Sequence, residues 1–84
     1  MANVRLLFFA QVGEKLGCRQ YRVSVDTTTM TVNDLIEYLI STDEKWSVLN
    51  DSTFKIAVNQ TIADRTQAIN DAEEIAFFPP VTGG

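Results

Sequence analysis

The sequence contains no histidine, one cysteine and two prolines in 84 residues. Without histidine, the side chain best suited to acid–base work near neutral pH is missing, and so is the commonest metal ligand. The lone thiol, Cys18, allows no internal disulfide, and the expectation is a reducing, cytoplasmic setting. Long apolar runs are missing too. The longest one near the start, Leu6–Ala10, is five residues, far short of the ~20 a membrane helix needs, and no basic leader precedes it. No membrane association is expected. Positive charge is scarce: seven Lys and Arg face eleven Asp and Glu, for a net charge of −4. Nucleic-acid binders show the reverse balance, because phosphate contacts come from Lys and Arg. An acidic surface suits protein partners with basic docking faces instead. No spacing resembles a metal site, and no glycine-rich loop resembles a phosphate cradle. The carboxylates fall mostly on polar helix faces or in turns, where solvation explains them.

What remains is a short chain, 45% hydrophobic, long enough for one domain with a modest core. "NVRLLFFAQ" reads as a first strand, apolar on both faces as a central strand would be. "QVGEKLGC" reads as a helical turn with Val12 and Leu16 on one side and Gly17 as its stop. "QYRVSV" alternates as a second strand. "TVNDLIEYLIST" is the main helix: Val32, Leu35, Ile36, Leu39 and Ile40 make one stripe, and Thr31 with Asp34 resembles a capping box, with Asp a shorter reach than the usual Glu. "DEKWSVLN" is a further helical turn carrying Trp46 and Leu49. "FKIAV" is a third long strand with Phe54, Ile56 and Val58 inward. "NQ" turns into a short strand around Ile62, residues 63–72 read as polar loop, and "EIAFF" is the last strand.

One amphipathic helix covers one face of a sheet, so the other face is left open. This order and layout predict the α+β class, specifically the ubiquitin-like β-grasp fold: a mixed sheet, one main helix on one face, and the first and last strands adjacent at the centre. Strand alternation then sorts the side chains. Arg5 does not belong in a core, so Arg5, Leu7 and Phe9 are assigned to the open face. Lys55 and Ala57 join them from the third strand, and Glu74, Ala76 and Phe78 from the last. Phe9 and Phe78 should meet at one end of the sheet, with Ile62 on the adjoining short strand, as a partner-binding surface. The competing expectation is that Trp46 or the 63–72 loop folds over them.

The chain closes on "EEIAFFPPVTGG". Pro79 and Pro80 lack N–H groups, so they end the strand and stiffen its exit. The expected division is a domain over 1–78 and an extended tail over 79–84. From Pro80 to Gly84 the tail reaches at most ~13–14 Å. Gly83 and Gly84 carry no side chains, so the tip suits a narrow channel.

"LLFFAQV", "AVNQT" and "EIAFFPPVTGG" together resemble the MoaD-like sulfur carriers, the small-subunit family of molybdopterin synthase, and the resemblance spans essentially the whole chain. One departure stands out: relatives often carry Asp-Gly-Asp before the last strand, where this chain has Asp71-Ala72-Glu73. The resemblance implies a carrier that is not catalytic alone and holds no cofactor itself. An adenylyltransferase related to ubiquitin-activating enzymes, using ATP, would activate the Gly84 carboxylate. A persulfide sulfur donor would convert it to a thiocarboxylate. The carrier would then dock on a synthase large subunit, as a heterotetramer, and give its sulfur to a pterin precursor of the molybdenum cofactor. Gly84 would be the reacting residue and Gly83 would supply clearance. Phe9, Ile62, Phe78, Pro79, Pro80, Val81 and Thr82 would contact partners. Other readings are a ubiquitin-like modifier conjugated through Gly84, a sulfur carrier of another pathway such as thiazole synthesis, and a binding module whose tail plays no part. Cys18 is read as a small strand-leading residue rather than a persulfide carrier, since only Arg19 is cationic beside it.

Overall fold

The computed structural model describes residues 2–26, 30–69 and 74–80. The elements run β1 (Ala2–Phe8), α1 (Gln11–Leu16), β2 (Gln20–Val25), α2 (Val32–Thr42), a 3-10 helix (Glu44–Asn50), β3 (Lys55–Val58), β4 (Thr61–Ala63) and β5 (Glu74–Phe78). The strands form one mixed sheet in the order β2-β1-β5-β3-β4. β1 and β5 are parallel neighbours at its centre, and the other pairings are antiparallel. The expected β-grasp layout is what the chain adopts.

Local chemistry sets the boundaries. β1 stops at Phe8, two residues earlier than the apolar run implies, because Ala10 sits at φ 50° and ψ −126° and reverses the chain. Val12 N–H closes this turn on Phe9 O at 3.1 Å. That first turn position normally goes to glycine, so an alanine there carries strain. Gly13 faces the strand end closely: a Cβ on it would lie 2.9 Å from the Phe8 carbonyl oxygen. Gly17 ends α1 in the left-handed region, at φ 78°. α2 starts with the capping box that its sequence announces, with Thr31 Oγ1 accepting from Asp34 N–H and Asp34 accepting from Thr31 N–H. Asn59 and Gln60, at φ 50° and 68°, form the two-residue turn that joins β3 to β4.

The core lies between the sheet and the helices. Val4, Leu6, Phe8, Val23, Val25, Ile56, Ile75 and Phe77 face Val32, Leu35, Ile36, Leu39, Trp46 and Leu49 there. Trp46 is the largest fully enclosed side chain; Phe8 packs on one part of it at 5.7 Å and Tyr21 on another at 4.9 Å. Trp46 therefore belongs to the covered side and does not fold over Phe9 and Phe78. The 64–69 segment also departs from the polar-loop expectation. It hydrogen-bonds along the start of α2, with Val32 N–H on Gln67 O and Ile69 N–H on Met30 O, both at 3.0 Å. Ile69 is wholly buried by this. The Asp71-Ala72-Glu73 departure lies outside the described residues.

Candidate functional site

The register arranges the open face in cross-strand rows. At one end Arg22, Arg5 and Glu74 stand side by side on β2, β1 and β5. Next come Gln20, Leu7, Ala76, Ala57 and Ile62, one residue from each strand. At the far end Phe9 follows β1, and Phe78 pairs with Lys55. Phe9 N–H donates to Phe77 O at 3.0 Å, which carries the β1–β5 ladder one step past Phe8. That bond places Phe9 level with Phe78, and their rings stack with centroids 4.7 Å apart and planes 7° from parallel. Offset-stacked pairs of this kind contribute ~0.5–1.5 kcal/mol beyond area burial.

The pair stands immediately before Pro79 and Pro80, and Phe9 remains 42% exposed. Phe78 and Pro79 are half-buried, and Pro80 is exposed. The structure thus brings Phe9 and Phe78 together at the end of β5, with Pro79 next in the chain. Ile62, 74% exposed, shares their face but sits two strands from β5, roughly 10 Å across the sheet. It widens the surface without touching the pair. Val81, Thr82, Gly83 and Gly84 lie outside the described residues.

The side assigned to Ala57 holds, but its exposure does not. Ala57 points to the open side as alternation requires, yet it is 5% exposed, and its cross-strand partner Ala76 is 4% exposed. Among the described residues, the helices pack on the other face of the sheet. An alanine between larger neighbours on both strands is shaded by those neighbours, so burial here reflects side-chain size and not a covering layer. The result is a low floor bounded by Leu7, Ile62 and Phe78.

Beside the stack, a hollow of about 480 Å³ is lined by Leu7, Phe9, Ala10, Gly13, Gly17 and Cys18 among others. Cys18 is half-buried and packs against the core cluster. No group of three His, Cys, Asp or Glu side chains among the described residues could hold a metal ion. Two carboxyls are held below their usual value of 3.8. The Thr53 hydroxyl and then its backbone N–H act on Asp51, and those of Thr66 act on Asp64. Both are exposed turn residues.

Sequence reasoning passed over the Arg5–Glu74 ion pair, at 2.8 Å. The parallel pairing of first and last strands, combined with one charge on each, was the available signal.

Comparison with known proteins agrees with this geometry. Residues 6–84 match the ThiS family. The molybdopterin synthase sulfur carrier subunit of Escherichia coli is 39% identical over 82 residues, covering 96% of this chain and 99% of that protein. The subunit of the same name from Haemophilus influenzae is also 39% identical, with both chains covered in full. The crystal structure of small archaeal modifier protein 1 from Haloferax volcanii superposes with a TM-score of 0.76 at 27% identity, covering 96% of this chain and all of that one. A β-grasp sheet with one uncovered face, matched at this identity along nearly its whole length, settles the family: the chain belongs to the ThiS family.

Proposed function

We propose that this protein is the sulfur carrier subunit of a molybdopterin synthase, loaded and discharged at the α-carboxylate of Gly84. The observation that carries the reading is the stacked Phe9–Phe78 pair, on an uncovered sheet face directly before Pro79 and Pro80. Its 39% identity to sulfur carrier subunits along nearly the whole chain supports the choice of chemistry.

A carboxylate is a poor electrophile, so loading begins with adenylation. The Gly84 carboxylate attacks the α-phosphate of ATP on a separate adenylyltransferase, and pyrophosphate leaves. A persulfide of the sulfur donor then attacks the acyl carbon and expels AMP. A thiol cleaves the resulting sulfur–sulfur bond, which leaves the thiocarboxylate on Gly84 and a disulfide on the donor. The chain's own part is presentation. Its stiff prolines launch the tail, its glycines leave the acyl carbon unobstructed, and the aromatic pair anchors whichever partner receives the tip. Discharge occurs on the synthase large subunit, where the sulfur passes to the pterin precursor. Neither ATP nor the sulfur donor is held by this chain.

The test is length. Adding one residue after Gly84, or deleting Gly84, moves the reacting carboxylate by roughly 3.5 Å. Even ~1 Å of misplacement can cost about a hundredfold in rate. With the activating enzyme, ATP and a sulfur donor, both variants should melt normally and form no thiocarboxylate. Normal loading of an intact, untrimmed extension contradicts the reading. The likeness to an archaeal modifier protein supports a second reading, conjugation to lysines through Gly84. A ladder of covalent adducts on denaturing gels of cell extract would favour it.

A further inference from the structure

The open face has a second end. Four residues back along β1 from Phe9, roughly 13 Å away, Arg5 stands opposite Arg22 of β2 and beside Glu74 of β5. Arg5 Nη2 donates to Glu74 Oε2 at 2.8 Å. Arg5 therefore stands between Arg22 and the one carboxylate of the row, and it engages that carboxylate. Arg22 has no ion-pair or hydrogen-bond partner among the described residues. With Asn3, Asn59 and Gln60, these three side chains line a cleft of about 430 Å³.

Like charges at directly opposed strand positions are unfavourable by themselves. Here they leave a local excess of positive charge on a chain of net charge −4. The free guanidinium is a planar fork that matches a carboxylate with two parallel hydrogen bonds. The Asn3 and Gln60 amides add polar groups to the lining of the cleft. The cleft is continuous with the surface that carries Phe9 and Phe78, because Leu7 and Ala76 lie between the two ends.

We infer that this cleft receives an aspartate or glutamate side chain of the synthase large subunit, and that the resulting ion pair fixes the carrier's rotation about its aromatic anchor. The inference rests on the docking reading above. A single stacked pair holds position but not angle. A tail only ~13–14 Å long must still point into one channel. A second contact about 13 Å from the first removes that freedom. Because the arginines are exposed, the pair acts mainly on the encounter rate and its salt dependence.

The experiment measures association of the full-length carrier with the purified large subunit of the same organism, at low salt and at ~1 M salt, where charges are screened beyond about 3 Å. Four carriers are compared: unmodified, Arg22→Gln, Arg22→Glu and Phe78→Ala. Arg22→Glu should slow association about tenfold at low salt. Arg22→Gln should slow it less, and both should converge on the unmodified protein at high salt. Thermal melts of the two Arg22 variants should be unchanged. Phe78→Ala should instead speed dissociation at both salts. If Phe78→Ala weakens the complex while Arg22→Glu associates at the unmodified rate, the cleft assignment is wrong and the docking reading survives. If the unmodified carrier does not bind the large subunit, both fail together. Titration with inorganic phosphate is the remaining arm: saturation of the Arg22 cleft by phosphate, with no Arg22 effect on the complex, would assign the cleft to a phosphate ligand and overturn the inference.

Discussion

Phe77 and Phe78 share a peptide bond and occupy two environments. Phe77 is completely buried, stacked 5.8 Å from Phe8 beneath the helices. Phe78 is half-buried, and its stacking partner Phe9 is exposed. Phe8, at the end of β1, and Phe9, just beyond it, repeat the arrangement. Adjacent aromatics serve both faces because the pleat sends successive side chains to opposite sides. One aromatic pair on the covered face holds the fold together. The other holds little of it and stands at the root of the tail. The molecule keeps the two tasks apart by the thickness of a sheet.

Truncation is the strongest way to break this contrast. Phe77→Ala removes a side chain from a closed core and should cost ~3–5 kcal/mol of stability. Chemical denaturation of the purified variant measures it. Phe78→Ala should cost less, about 1 kcal/mol for the stacked pair plus the smaller share of buried area that a half-buried ring loses. Its larger effect should be on binding, where loss of a central aromatic anchor costs ~2 kcal/mol or more, roughly thirtyfold in affinity. Calorimetric titration against the large subunit and the adenylyltransferase measures both complexes. Equal destabilisation by the two variants with unchanged affinity for Phe78→Ala would erase the distinction between the faces.

Thr31→Ala sharpens the contrast from the covered side. It removes half of the α2 capping box and should lower stability by ~1 kcal/mol with partner affinity intact. Cys18→Ser should be smaller still, leaving sulfur transfer in place because the transferred sulfur resides on Gly84. Loss of transfer in a folded Cys18→Ser protein would return the thiol to the mechanism.

The weakest effect is that of acid. Asp51 and Asp64 have depressed values in the folded protein through their threonine hydrogen bonds. Their stabilising contribution is complete above the ordinary unfolded carboxylate value of about 3.9. It is lost as pH falls through the lower folded values. Unfolding midpoints followed from pH 5 downward should fall less steeply for a Thr53→Val, Thr66→Val double variant. Neither aspartate is part of the Phe9–Phe78 stack, so complex formation should not follow this loss.

Much of this was legible in the chain because periodic elements announce themselves. The α2 stripe, the Thr31–Asp34 box and the alternation in β2 all matched simple spacing rules. The face assignment followed from one residue, Arg5, whose charge decided which side of β1 was open. What escaped had no local signal. Ile69 is the one large apolar residue in a polar stretch, and its burial depends on backbone bonds to Met30 and α2 that no spacing encodes. The early end of β1 depends on Ala10 adopting a conformation that its composition disfavours. Ala57 pointed the right way and was still buried, because shading by neighbours is set by their size. Arg22 drew no notice as one charge in an alternating strand. Only the register that places it opposite Arg5 gives it meaning.

The most direct test of the central claim is intact-mass analysis, with fragmentation, of the protein recovered from its native host. The account predicts a species in which one oxygen is replaced by sulfur, mapped to the carboxylate of Gly84 and absent when the adenylyltransferase is missing. Sulfur found only on Cys18, or a Gly84 carboxylate that never exchanges oxygen for sulfur in cells making the cofactor, would contradict it.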